Sequence, residues 1–301
     1  MSSTKHTSYE KIIICQRELP ALLAGGCLPA ERKNIMLQFN CFPGGKKNVV
    51  TFSYDDGSAN DARLVELFNR YGVKGTFHLN GKKYLDKTPE ELEKIRKLYE
   101  GHEIACHTMQ HGFLNRMPYV SMINEIFEDR KVLEKIAGYP VTGMSYPSGG
   151  VDERAVKALE ACGIVYSRTV HGADTMIELP ENFLKWQPSC HHRTAMKIVP
   201  KFLEGLDSPW PKKILYIWGH SHEFRTEEDW AYMEGIVSSL AGSDKIWYAT
   251  NIEIYNYAVA QRNLQISADE SMVYNPSSIP VWVERDKSEI IKIEAGQTVR
   301  I

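Results

Sequence analysis

No stretch of the 301-residue chain approaches the roughly 20 consecutive apolar residues that a membrane-spanning helix requires. The opening MSSTKHTSYEKIIIC carries only a three-isoleucine run, too short for the apolar core of a signal peptide, so the sequence as given reads as cytoplasmic, or as an exported chain trimmed of its leader. A basic surplus is also missing. The 36 lysines and arginines face 38 aspartates and glutamates, for a net charge of −2, which argues against nucleic acid as the main partner. Six cysteines (Cys15, Cys27, Cys41, Cys106, Cys162, Cys190) include no CxxC pair, which argues against a zinc knuckle or a disulfide framework and reads as buried thiols. There is no internal repeat and no low-complexity tract. With 43% apolar, 25% charged and 10% aromatic residues, the composition excludes a disordered or fibrous chain. Nothing in the sequence sets an oligomeric state.

What the chain does have is alternation. Short β-branched or aromatic runs (48–54, 72–79, 102–107, 141–146, 163–170, 213–218 and 245–250) show little polar interleaving, as expected of strands buried on both faces. Between them lie amphipathic segments at 61–71, 89–101, 121–138 and 152–163. The second is punctuated by Pro89 and Gly101, where helix start and stop signals belong. About seven successive β-then-α units predict an α/β fold with a parallel sheet closed, or nearly closed, into a barrel. After a last helical stretch at about 251–262 the pattern changes to short strands broken by NPSSIP, ERDKS and EAGQ turns. We therefore expect an N-terminal cover segment over 1–47, a barrel over 48–262 and a small β extension over 263–301.

Parallel (β/α) folds gather their chemistry on the loops after the strands. That is where this chain puts its polar side chains. Asp55 and Asp56 follow the first run, His107 and His111 the third, Tyr146-Pro147-Ser148 the fourth, and His220 and His222 the sixth. All ten histidines except His6 lie between His78 and His222. Two adjacent carboxylates repel unless a proton or cation intervenes; with a cation, one binds it and the other stays free as a base. His107 and His111, at i,i+4, have the spacing that sets two imidazoles on one side of a helical turn. Two histidines and a carboxylate leave coordination positions open, the composition of a catalytic rather than a closed structural site.

TFSYDDG (51–57) followed by HTMQH (107–111) resembles the first two signature motifs of the polysaccharide deacetylases, carbohydrate esterase family 4. The likeness continues more loosely through YPSGG (146–150), Trp186 and IWGHSHEF (217–224), covering roughly residues 48–260. It implies a distorted (β/α) barrel with fewer than eight strands. It implies a divalent ion held by Asp56, His107 and His111, zinc first, with cobalt, nickel, manganese or iron also compatible with such ligands. It makes Asp55 the general base, His220 the general acid and Ser148 the residue whose backbone N–H meets the oxyanion. Tyr146, Pro147, Trp186 and Trp218 become candidate substrate contacts, Trp186 as a sugar-stacking platform or else a buried indole with a satisfied N–H. The implied reaction is hydrolysis of N-acetyl, or O-acetyl, groups on a carbohydrate. An uncharged acetyl sugar needs no electrostatic steering, which suits the near-neutral charge.

Two departures accompany the likeness. The third motif usually carries an arginine two residues before its proline, pairing with the base; here that position is Ser145, and Arg168 at the end of the fifth run is the nearest substitute. The fourth motif usually has an aspartate that orients the catalytic histidine, where this chain offers only Glu181 and Asn182. These changes keep two other readings open: an amidohydrolase of the same superfamily acting on a small cyclic amide, and a catalytically silent carbohydrate-binding protein. His191 and His192, being adjacent, are expected to point in different directions. His78 reads as a core residue, and the Lys46-Lys47 and Lys82-Lys83 pairs as solvated surface.

Overall fold

A computed structural model describes residues 36–172, 174–208 and 213–301. Most of the expected 1–47 cover segment, with Cys15 and Cys27, lies outside the described residues. The seven apolar runs become parallel strands. In chain order, a short strand β1 (Leu37–Gln38) precedes β2 (Asn48–Asp56), α1 (Asp61–Tyr71), β3 (Gly75–Leu79), α2 (Pro89–Leu98), β4 (Glu103–Cys106), α3 (Tyr119–Ala137) and β5 (Gly143–Ser145). There follow α4 (Glu153–Ala161), β6 (Tyr166–Arg168), β7 (Cys190–His191), α5 (Val199–Glu204), β8 (Lys213–His220), α6 (Glu227–Leu240), β9 (Ile246–Tyr248) and α7 (Asn251–Arg262).

The strands form one sheet of order β6-β5-β4-β3-β2-β8-β7, with β9 pairing the first residues of β2. An eighth strand was not evident in the sequence because β7 is only two residues long. The sheet curls until its edges nearly meet. Trp186 N–H donates to the Ser167 carbonyl at 3.0 Å and Thr169 N–H to the Trp186 carbonyl at 2.9 Å, while Ser189 N–H reaches the Tyr216 carbonyl on β8 at 2.8 Å. This segment stitches β6 to β8 and all but closes the barrel.

Strand β2 shows why the buried runs do not alternate simply. Val50, Phe52 and Tyr54 join the main hydrophobic cluster, with Phe68 of α1 and Met233 of α6. Thr51, Ser53 and Asp55, also buried, take the other face and find polar partners in the lumen: Asn251 for Thr51 and Arg168 for Ser53 and Asp55. Both faces are removed from water, so both read as buried, yet only one is apolar. The helices start where caps predict. Thr88 with Glu91, Thr226 with Asp229 and Thr250 with Glu253 each close a capping box, the kind of device worth about 1 kcal/mol per cap.

Beyond α7, β10 (Gln265–Ile266), β11 (Met272–Tyr274), β12 (Val281–Arg285), β13 (Glu289–Ile293) and β14 (Thr298–Arg300) make two small antiparallel sheets. The order of one is β10-β11-β14, and of the other β1-β12-β13, so the chain before the barrel pairs with the extension. Trp282 N–H donates to the Tyr257 hydroxyl at 3.0 Å, anchoring the extension on α7. No helix among the described residues is long and apolar enough to cross a membrane. Cys106, Cys162 and Cys190 are buried free thiols, and Cys41 is buried as well.

Candidate active site

Parallel register brings the polar strand ends together. Asp55 on β2 pairs with His220 on the adjacent β8, and Ser145 on β5 pairs with Arg168 on the adjacent β6. Both members of the second pair reach Asp55. The Ser145 hydroxyl donates to Asp55 Oδ1 at 3.0 Å, and Arg168 Nη2 bonds Oδ2. Asp55 is 2% exposed and Arg168 fully buried. Burial would raise the Asp55 carboxyl, but Arg168, with His107, His78 and His220, holds it well below the usual carboxylate range. Arg168 also donates from Nε to Ser53 at 3.1 Å and from Nη1 to the Thr169 carbonyl at 3.0 Å, and lies 4.5 Å from the Trp218 ring centre. Arg168 thus reaches Asp55 from the neighbouring strand, at the level of Ser145. Arg168→Ala is expected to lower turnover on the order of 10²-fold, because Asp55 loses the partner that orients it. Steady-state kinetics on folded protein checks this, and a change of only a few-fold would contradict it.

Asp56, with φ 76°, turns the opposite way from Asp55, toward the histidines. Its Oδ1 lies 3.6 Å from both His107 Nε2 and His111 Nε2. The ligand atoms of all three residues fall within 4.8 Å of one another. The pair does not sit on a helical turn, as the i,i+4 spacing predicts. Residues 107–111 are a loop with Thr108 at φ 63° and His111 at φ 60°, and the loop is clamped from outside. Asn80 donates to the His107 and Thr108 carbonyls at 2.8 and 3.0 Å, Asp129 accepts from His107 N–H at 2.9 Å, and Glu125 accepts from Gln110 N–H at 2.9 Å.

The tautomer of His107 follows from its neighbours. The Ser145 hydroxyl spends its proton on Asp55, so around His107 Nδ1 there are only acceptors: Ser145 Oγ at 2.7 Å and the Ser145 carbonyl at 3.0 Å. Nδ1 therefore carries the hydrogen, and Nε2 presents a lone pair. That Nε2 is buried with no hydrogen-bond partner. An orphaned buried lone pair facing a carboxylate is what a cation would satisfy, so the donor set fits a divalent ion.

The second strand-end cluster centres on Glu223. His220 Nδ1–H donates to Glu223 Oε1 at 3.0 Å, leaving Nε2 as the free edge of the ring. Burial disfavours the imidazolium, but Glu223, Asp55 and Asp56 outweigh it and raise the His220 pKa above its ordinary value. Glu223 therefore occupies the orienting place that neither Glu181, which is exposed, nor Asn182, which caps Leu184 N–H, fills. The signal was present in the sequence as a carboxylate three residues after His220, within one tight turn. That turn is held by Asn60, whose amide donates to the Ser221 and Phe224 carbonyls at 3.0 Å each. His222 is half-exposed, with Nδ1 3.8 Å from Asp56 Oδ2.

His191 and His192 do not diverge as adjacent residues on a strand would. The chain leaves β7 there for a 3-10 turn, and both Nε2 atoms converge on Glu223 Oε2, at 3.4 and 3.2 Å. Gly219 makes room, since a Cβ there would lie 2.0 Å from His192 Nδ1.

The candidate sugar contacts divide. Trp186 is 1% exposed, packed edge-on against Tyr166, Phe183 and Tyr216, and its indole N–H has no partner. It is a core residue, since it lies in the segment that stitches the barrel shut. Tyr146 is also buried, its hydroxyl donating to the Leu184 carbonyl at 2.8 Å, and so is Pro147. None of these three offers a face to a sugar. Ser148 is exposed, at φ 53° in the turn after β5, and the partly exposed Trp218 lies against Arg168, His191 and His220. His78 is a core histidine, with Nδ1 3.2 Å from the Cys106 carbonyl. The lysine pairs are more than solvated surface. Lys83 Nζ bonds the Asp56 carbonyl, Lys82 Nζ reaches Gln110 at 3.0 Å, Lys47 pairs with Glu284 at 2.9 Å and Lys46 donates to the Ile246 carbonyl at 2.9 Å.

A curled parallel (β/α) sheet thus brings histidines and carboxylates together at its strand ends. The comparisons narrow the class. Residues 43–167 match the polysaccharide deacetylase family model. The matched segment includes Asp55, Asp56, His107, His111 and Ser148, and ends before His220. Over 109 residues the chain is 29% identical to the peptidoglycan-N-acetylmuramic acid deacetylase PdaC of Bacillus subtilis, covering 36% of this chain and 23% of that protein. It thus spans less than half the length of the curated relatives it matches first. Among solved structures, a putative polysaccharide deacetylase from Mycobacterium smegmatis superposes with a TM-score of 0.56 at 18% identity, over 75% of this chain and 96% of that one. The PuuE allantoinase superposes with a TM-score of 0.55 at 13% identity, over 71% and 91%. At these identities the two structures speak for the fold alone.

Proposed function

We propose that this chain is a divalent-metal-dependent hydrolase that removes N-acetyl groups from a carbohydrate, with Asp55 as general base and His220 as general acid. The observation that carries the reading is the in-register pair Asp55–His220, each with its own fixed partner, beside the orphaned His107 Nε2. A binding protein would have no need of a base and an acid held in separate, charged settings. The deacetylase domain match and the name of the Bacillus relative supply the substrate class.

Asp56, His107 and His111 would hold the ion, which supplies a Lewis acid and makes a nearby water more acidic. Asp55, kept ionised by Arg168 and aimed by Ser145, takes the proton of the attacking water. Ser148, in a left-handed turn after β5, would offer its backbone N–H to the oxyanion. An amine leaves poorly until it is protonated; His220 delivers that proton from Nε2, with Glu223 stabilising the imidazolium. Trp218, between Arg168 and His191, walls the acyl side.

The test is acetate release from N-acetylglucosamine oligomers and peptidoglycan fragments, with acetylated xylan and a cyclic amide as parallel substrates. The proposal expects the N-acetyl substrates to be turned over fastest. Preference for the xylan would move the reading to an ester, and for the cyclic amide to an amidohydrolase. Glu223→Gln tests the acid. Loss of its charge lets the raised His220 pKa fall back, so the alkaline limb of kcat/KM should move to lower pH. Turnover should drop within the roughly 10²-fold that a general acid supplies. An unchanged alkaline limb would assign it to another group.

A further inference from the structure

Glu223 is more heavily attended than a residue needs to be to orient one histidine. Its Oε1 accepts from His220 Nδ1 at 3.0 Å, and around Oε2 stand His191 Nε2 at 3.4 Å, His192 Nε2 at 3.2 Å and Arg193 Nε at 3.0 Å. Despite this crowd, Oε2 is buried and makes no aligned hydrogen bond. The ligand atoms of His191, His220 and Glu223 all lie within 4.8 Å of one another. Metal–ligand bonds of about 2.0–2.2 Å at tetrahedral angles put neighbouring ligand atoms some 3.3–3.5 Å apart; here His191 Nε2 stands 3.4 Å from one Glu223 oxygen and His220 Nδ1 3.0 Å from the other. The donors repeat the composition of the first cluster, two imidazoles and one carboxylate, which suits a first-row ion of the zinc type. Access is open: a cavity of about 700 Å³ lined by His192, Arg193, Glu223, Phe224, Thr226 and Tyr232 abuts the cluster. Arg193 is the competing cation, but its side chain is 65% exposed and held by a single contact to this oxygen, so it can swing into solvent at little cost.

We propose that His191, His220 and Glu223 form a second, weaker divalent-cation site, and that filling it shuts off the reaction by engaging His220. The inhibitory half rests on the function proposed above; the binding half does not. To bind an ion through Nδ1, His220 must keep its one hydrogen on Nε2: the imidazolium releases its Nδ1 proton to solvent, and the neutral ring, by exchange with solvent, trades its Nδ1 proton for one on Nε2. The ring then has one nitrogen on the ion and cannot also become the imidazolium that a leaving amine requires. Ions at low concentration would fill the Asp56–His107–His111 cluster and support turnover, while excess would fill the second site and stop it.

Zinc titration of chelator-stripped full-length protein, followed by calorimetry, reads the binding half directly. Wild type should show two binding events per chain. His191→Ala should lose the weaker and keep the tighter, and Asp56→Ala should do the reverse. His191→Gln, which preserves more of the side-chain volume, serves if the alanine variant fails to fold. In acetate release, excess zinc should depress the wild type by about 10²-fold relative to its own rate at one equivalent, the contribution expected of a general acid. That inhibition should be largely absent in the His191 variants, each normalised to its own low-zinc rate. A single event in wild type, or two events that both survive loss of His191, overturns the second site. Two events with the expected variant pattern but no acetate from any substrate would leave the site standing and remove the proposed function. No binding at all would remove both.

Discussion

Asp55→Asn is expected to lower acetate release on the order of 10²–10⁴-fold while the protein keeps its divalent ion. The separation of the two effects comes from geometry. Asp55 and Asp56 are neighbours in sequence, but the positive φ of Asp56 turns its carboxylate toward His107 and His111, whereas Asp55 is spent on Ser145 and Arg168. Asparagine at 55 cannot take a proton from water, yet it leaves the three proposed ligands untouched. It also leaves the Arg168 guanidinium buried without a counter-charge, a defect that costs roughly 3–5 kcal/mol when a buried pair is broken. Thermal unfolding should therefore show a lowered Tm alongside retained metal. Metal content by elemental analysis, with kinetics on the same sample, separates the outcomes; loss of the ion in Asp55→Asn would mean that both carboxylates serve as ligands.

His107→Ala should be the more drastic change, removing both the ion and the turnover. His107 is 1% exposed, joins the Asp56 cluster through Nε2 and Asp55 through Ser145, and receives its orientation from Ser145 and Asp129. Truncation deletes one of three ligands and frees Ser145 to turn away from Asp55. Zinc titration should show the tighter binding event lost, and turnover should fall toward the uncatalysed rate. Retention of a full equivalent of ion at the wild-type affinity would show that His107 is not a ligand.

Much of the barrel was legible because parallel strands buried on both faces leave compact apolar runs, and all seven runs became strands. The two-residue β7 left no such signature, and its importance comes from tertiary pairing to β8 rather than from its composition. The residues of the centre could be named from strand ends, but their supports were harder to see. Arg168 was visible as a candidate because β6 ends there, and its pairing with Ser145 shows why a replacement from the next strand works. Glu223 was overlooked because its contact with His220 depends on a three-residue turn whose direction no periodicity encodes. Trp186 and Tyr146 depart from the substrate contacts the likeness implies for the opposite reason. An aromatic near a motif looks the same in sequence whether it lines a groove or seals a barrel, and here the stitching of β6 to β8 buries both. The histidine pair had the right spacing for the wrong reason: a clamped loop with two left-handed residues, not a helix, brings the rings to 5.0 Å.

The most direct test of the account is acetate release by chelator-stripped protein as a divalent ion is restored. The account predicts negligible release without metal and recovery that saturates near one equivalent, with the recovered activity abolished by Asp55→Asn although the ion is still bound. Full acetate release from the metal-free chain, or an Asp55→Asn variant as active as wild type, would contradict it.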